Sequence, residues 1–109
     1  MNSFGEYMRT IRKSRGMLQR KLATEIGVDF SYICKIENNL NSPSDDVLIR
    51  IADVLQVDIE EMMRHAERLT PDLRKMIFNN PDVFKIIRDI EKNNLTYTQF
   101  QSMIKENVG

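Results

Sequence analysis

Residues 19–38, QRKLATEIGVDFSYICKIEN, restrict the fold of this chain more tightly than any other stretch. Leu22 and Ile26 are four apart and share one helical face. Ile33 and Ile36, three apart, do the same beyond Gly27. Ala23 is small, so a second helix can cross closely over it. Gly27 suits a turn residue with positive φ, a conformation that costs glycine little and a β-branched residue much. Val28 plugs the corner, and Asp29 is placed to cap the following helix by accepting its free N–H groups. Phe30, Ser31, Cys34 and Lys35 are left for the outer face. The spacing predicts two short helices, over residues 19–26 and about 30–38, joined by a tight turn.

The flanks continue in the same period. Phe4, Met8 and Ile11 form the inner stripe of a helix over residues 4–13, and Gly16 fits the turn that ends it. The polar run Asn38–Ser44 is a loop by its turn chemistry. Ser44, or Ser42 with Pro43 in the first turn, caps a fourth helix carrying Val47, Leu48, Ile51, Ala52 and Leu55. Asp58 caps a fifth, with Ile59, Met62, Met63 and Ala66 inward. Thr70-Pro71 starts a helix to about Phe78, and Asn79-Asn80-Pro81 breaks it and starts another by the same device. That one shows Val83, Ile86, Ile87 and Ile90 at i, i+3, i+4, i+7. Thr96 with Gln99 makes a capping box for a last helix carrying Phe100, Met103 and Ile104. No strand, repeat or low-complexity linker is visible, so the expected class is all-α.

Other signals exclude whole classes of function. A chain of 109 residues is one domain, or one plus a small appendage. Its single cysteine rules out an internal disulfide and a cysteine-cluster zinc site. His65, the one histidine, has no visible partners for metal binding or acid–base work and reads as a helix surface or interface residue. No nucleophile–base set and no phosphate-cradling glycine loop is present, so neither an enzyme nor a cofactor is expected. No apolar run approaches the ~20 residues of a membrane span. The N-terminus lacks an apolar signal core, which makes a cytoplasmic protein the expectation.

Taken together, Ile11-Arg12…Gly16-Met17, Gln19-x-x-Leu22-Ala23, Gly27-Val28, Ser31-Tyr32-Ile33, Lys35-Ile36-Glu37, Pro43-Ser44 and Leu48-x-x-Ile51-Ala52-x-x-Leu55-x-Val57 resemble the lambda-repressor/Cro-like, or xenobiotic-response-element, helix-turn-helix family. The resemblance runs from Phe4 to about Met63. It implies a five-helix DNA-binding domain over about residues 1–67, with the helix at about 30–38 set in the major groove. By position it makes Asp29, Phe30, Ser31 and Lys35 candidate base readers; for Phe30, which is apolar, pressing on a thymine methyl and serving as an interface residue are both open. It places Gln19 on a phosphate, bracing the reading face, and Tyr32 and Asn38 on the DNA backbone. Arg20 and Lys21 are further phosphate candidates from their charge. The resemblance also pairs Arg12 with Glu37 as a structural ion pair.

Several residues depart from the family pattern. Leu18 stands where Thr or Ser usually caps the second helix, a loss of ~1 kcal/mol unless Gln19 or a phosphate compensates. Phe30 replaces a polar reader, Cys34 a serine, and the loop over residues 38–44 has no Lys or Arg. Net charge is zero, yet it is unevenly spread. Residues 1–41 carry 7 Lys/Arg against 4 Asp/Glu, a balance of +3, and residues 42–68 carry 3 against 7, a balance of −4. Such a dipolar molecule turns its basic part toward phosphates.

Residues 68–109 are read as a helical C-terminal extension for dimerisation or partner binding. Val83, Ile86, Ile87, Ile90, Phe100 and Ile104 are its candidate interface residues, because three short helices carry more apolar surface than they readily bury. Three uses are open: pairing as a homodimer, folding back on the core, or receiving a protein such as an antirepressor or signalling partner. The functional expectation is a double-stranded-DNA-binding transcription regulator, a repressor acting as a homodimer. The alternative is a protein-binding adapter that keeps the fold without reading DNA.

Overall fold

The computed structural model describes residues 3–108; the side chains of Met103 and of residues 106–108 lie outside the described set. Among the described residues there are eight α-helices and no strand. They are α1 (Phe4–Ser14), α2 (Gln19–Ile26), α3 (Phe30–Glu37), α4 (Asp45–Leu55), α5 (Ile59–His65), α6 (Pro71–Asn79), α7 (Pro81–Asn93) and α8 (Tyr97–Val108). The expected all-α class and helix order are thus observed. The chain divides into two compact units between Thr70 and Pro71.

Local chemistry starts four of these helices. Ser3 Oγ accepts from Glu6 N–H at 3.2 Å to cap α1, and Ser44 Oγ accepts from Val47 N–H at 3.3 Å to cap α4. Asp58 Oδ2 accepts from Glu61 N–H at 3.3 Å at α5. At α8 the capping box closes both ways: Gln99 N–H donates to Thr96 Oγ1 at 3.2 Å, and Thr96 N–H donates to Gln99 Oε1 at 2.9 Å. Two expected caps do not form. Asp29 occupies the N-cap position of α3, but its side chain makes no capping bond. Asn80 precedes α7 likewise, with its amide turned back to donate to the Met76 carbonyl at 2.7 Å.

The first unit buries one core. Met8, Leu22, Ile33, Ile36, Leu48, Ile51, Leu55, Met62 and Met63 are fully enclosed, so each of α1–α5 contributes its apolar stripe. Burying a Leu- or Ile-sized side chain is worth about 1.5–3 kcal/mol, which is what holds helices this short together. α1 crosses the end of α3 at backbone distance: a Cβ on Gly5 would overlap the Glu37 carbonyl. Asn39, at φ 60°, clips that crossing. Its Oδ1 accepts from Gly5 N–H at 2.9 Å and its Nδ2 donates to Ser3 Oγ at 3.0 Å.

In the second unit, α7 ends in a left-handed Asn94, with Leu95 N–H reaching back to the Ile90 carbonyl at 3.1 Å. The Phe78 and Phe84 rings meet in a tilted pair 5.5 Å apart where α6 passes into α7. None of the residues of α7 is fully buried.

Candidate nucleic-acid interface

The α2–α3 turn is built as the glycine suggests. Gly27 has φ 73° and ψ 38°, and Val28 N–H donates to the Ala23 carbonyl at 3.0 Å, closing α2. Arg50 of α4 donates from Nη1 to the Ile26 carbonyl and pairs with Asp46 at 2.9 Å. A guanidinium at a helix C-terminus meets its orphan carbonyls and the negative end of its dipole. The α2–α3 corner is therefore held from α4 as well, by a residue that the spacing of the motif does not mark.

Below the outer face lies a buried carboxylate. Arg12 donates to Glu37 through Nε at 2.7 Å and Nη2 at 3.1 Å, and both side chains are almost wholly enclosed. Arg12 also donates from Nη1 to the Met17 carbonyl at 2.6 Å. The pair expected from the resemblance is thus in contact. Two residues join it that were not foreseen in this role. Arg9 Nε donates to Glu37 Oε1 at 3.3 Å, and Gln19 Nε2 donates to the same oxygen at 3.0 Å. Burial pushes the Glu37 carboxyl up. The hydrogen bonds from Arg12 and Gln19, the charge of Arg12 and the bond from Arg9 outweigh it, and hold the carboxyl below its ordinary value.

Gln19 is therefore fixed from within. One end of its amide is held by Glu37, and its Oε1 accepts from Cys34 Sγ at 3.6 Å. It does not supply the cap that Leu18 lacks; α2 begins with no side-chain capping bond and no acidic residue in its first turn. Leu18 itself is 74% exposed.

On the opposite side of α3, Asp29, Ser31, Lys35 and Asn38 are exposed and Tyr32 is half-buried. Asn38 Oδ1 accepts from Arg9 Nη2 at 3.1 Å, which ties the end of α3 back to α1. Phe30 and Cys34 do not lie on the outer face as the motif suggests. Four residues apart, both turn toward α2. Phe30 is half-buried against the core with the Arg20 guanidinium 4.3 Å from its ring centre, and Cys34 meets Gln19. Lys21 is exposed and paired with Glu25 at 2.9 Å.

His65, expected at a helix surface or interface, sits where α5 meets α1. Its ring is half-buried and stacked on Tyr7, with centres 3.8 Å apart and planes 12° from parallel. Burial, with the nearby Glu61 charge, raises the Tyr7 phenol above its ordinary value. Among the described residues no three His, Cys, Asp or Glu gather as a metal-ligand set. No helix among them is long and apolar enough to cross a membrane.

In the second unit, Ile86 and Ile87 are exposed, Val83 and Ile90 are half-buried, Phe100 is half-buried and Ile104 is exposed. Phe78 and Tyr97 add exposed aromatic surface, at 66% and 76%. The Met103 side chain lies outside the described residues.

The family profile for helix-turn-helix domains (HTH_3) matches residues 8–62, half of the chain. The chain is 34% identical over 67 residues to the HTH-type transcriptional repressor RghR of Bacillus subtilis, covering 61% of this chain and 50% of that protein. It spans about half the length of RghR and of two uncharacterised HTH-type transcriptional regulators of Mycobacterium tuberculosis that it matches. Among solved structures it is similar to the master regulator for biofilm formation SinR in complex with DNA. That match has 33% identity and a TM-score of 0.51, over 54% of this chain and 95% of the other. A SinR/SinI protein complex matches over 95% of this chain and 93% of the other, at 24% identity and a TM-score of 0.52, a likeness of fold.

Proposed function

The chain belongs to the helix-turn-helix family HTH_3, and we propose that it is a sequence-specific double-stranded-DNA-binding repressor. In this reading it acts in the cytoplasm as a homodimer, with α3 in the major groove. The observation that carries the reading is the contrast between the two sides of α3. Ile33, Ile36 and Glu37 are locked into the core, while Ser31 and Lys35 stand exposed one turn apart with their backbone held rigid behind them. Preorganised side chains on the first turns of such a helix reach base edges. Ser31 and Lys35 are then the base readers, with Asp29 beside them. Gln19, Tyr32 and Asn38 contact the backbone, and Arg20 adds a phosphate contact.

A single module of this size buries little DNA surface, so tight binding calls for two half-sites. The exposed Ile86, Ile87 and Ile104, with half-buried Val83, Ile90 and Phe100, are the surface through which a second copy joins. Blocking promoter access is the simplest consequence of such binding, and a relative named as a repressor supports that direction.

Fluorescence anisotropy of the full chain against labelled genomic fragments tests the reading. A selected site spanning two half-sites about 34 Å apart, and affinity that falls steeply with salt, is the expected result. Equal, weak binding to every fragment at all salt concentrations would favour the adapter that reads no DNA. The uncharged loop over residues 38–44 and the exposed apolar side chains of the second unit would suit that role.

A further inference from the structure

We propose that Phe30 is a positioning residue: its ring holds the Arg20 guanidinium in place for a backbone phosphate of duplex DNA, and Phe30 itself reads no base. The inference rests on the DNA-binding reading above. Phe30 is half-buried and packed against the core, so the ring is anchored. The face it offers is occupied, because the Arg20 guanidinium lies over it 4.3 Å from the ring centre. A thymine methyl needs open apolar surface, and part of this half-buried ring is already taken by the core and by Arg20.

Arg20 is suited to the partnership by charge and by shape. Three other cations of this unit hold acids within ion-pair distance: Lys21 holds Glu25, Arg50 holds Asp46 and Arg68 holds Asp45. Among the described residues no acid pairs with Arg20, and the first turn of α2 contains none. Its charge therefore remains for a ligand. A guanidinium held over a ring by cation–π attraction keeps N–H donors for other partners, so the ring contact and phosphate binding are compatible. A long arginine side chain loses rotamer freedom when it binds; a ring that holds it beforehand lowers that cost. Arg20 adjoins Gln19 on α2, the helix that in this motif crosses the DNA backbone, so a phosphate and not a base edge is the partner in reach.

The test is a double-mutant cycle in DNA binding with the full chain. Anisotropy would be measured on the selected duplex and on an unrelated duplex of equal length, across a salt series. Arg20→Ala should weaken binding roughly 2- to 10-fold on both duplexes and lower the salt slope by about one released ion. Phe30→Leu should weaken both by a similar factor at unchanged melting temperature, and Phe30→Tyr should restore binding. Phe30→Met supplies a second ring-free side chain if Phe30→Leu melts early. Arg20→Ala with Phe30→Leu should bind no worse than Arg20→Ala alone, because the ring acts only through the guanidinium. Replacing thymine by deoxyuridine in the site should weaken wild type and Phe30→Leu by the same factor. Wild-type binding that Phe30→Leu leaves intact, or a Phe30→Leu loss that vanishes on deoxyuridine duplexes, would overturn the positioning role alone. A wild-type chain with no salt-dependent DNA binding would overturn the DNA-binding reading, and this inference with it.

Discussion

Removing the Glu37 carboxylate should be the most damaging single change in the first unit. Four donor contacts converge on it: Nε and Nη2 of Arg12, Nε of Arg9 and Nε2 of Gln19. Arg9 is 38% exposed and can take up water when its partner goes. Arg12 is 7% exposed and cannot; it would keep the Met17 carbonyl and no counter-charge. Stranding a buried charge in this way costs about 3–5 kcal/mol, and Glu37→Ala should fall at the upper end. Arg12→Ala should cost less, about 3 kcal/mol, because Glu37 keeps Arg9 and Gln19. Arg9→Ala, at the rim, should cost about 1 kcal/mol or less. Urea unfolding at neutral pH measures each, with a constant m-value as the control that only stability has changed. Arg12→Met combined with Glu37→Leu should cost less than Glu37→Ala alone. Additive losses, or a Glu37→Ala cost under about 1 kcal/mol, would show that the cluster does not hold α1 on α3. The pH dependence has a definite sign. The folded-state pKa of Glu37 lies below its ordinary 4.5. Its stabilisation is therefore fully present above 4.5 and is lost as pH falls from there through the folded value. Glu37→Gln should flatten that part of the acid limb; an unchanged limb would assign it to other carboxylates.

Three further outcomes follow from the same geometry. Gly27→Val should destabilise by more than about 1 kcal/mol, through its backbone at φ 73° and not through crowding, since a Cβ there would meet only Arg50 Nη1 at 3.9 Å. Thermal melts check this, and Gly27→Asn, which tolerates the left-handed region, should lose less. Ser31→Ala and Lys35→Ala should each relax discrimination at one base pair by ~1–3 kcal/mol while melting like wild type, because both side chains are exposed; unchanged selectivity in both would remove α3 from the groove. In sedimentation equilibrium at micromolar concentration the full chain should be a dimer, and Ile86→Asp with Ile87→Asp should make it monomeric while the first unit stays folded. A monomeric parent, or a variant that still dimerises, would refute the tail as the dimer contact and leave partner docking as its use.

What could be read from the residues and what could not divides along sequence distance. The stripes of Leu22 and Ile26, or Val47, Leu48 and Ile51, repeat within one or two turns, so helical period exposes them. The Thr96–Gln99 box and the Ser44 and Asp58 caps join residues three apart, and they were legible for the same reason. Asp29 was legible as the start of α3 but not in what its side chain does, because a cap position sets the backbone and leaves the carboxylate a choice of partners. Arg9, Arg50 and Asn39 act across 24 to 34 positions on partners that only the packed core brings near. The same limit explains Phe30 and Cys34. In an eight-residue helix the border between inner and outer face is set by how α2 crosses it, and no spacing within α3 records that crossing. Gln19 shows the consequence for function. From sequence it is a polar residue at the start of a helix, free to face a phosphate. In the fold its amide is gripped by buried Glu37 on one side and Cys34 on the other, so its direction is decided by a carboxylate inside the unit. The outward face is therefore set from the inside, and the ion cluster that joins α1 to α3 is also part of how that face is aimed.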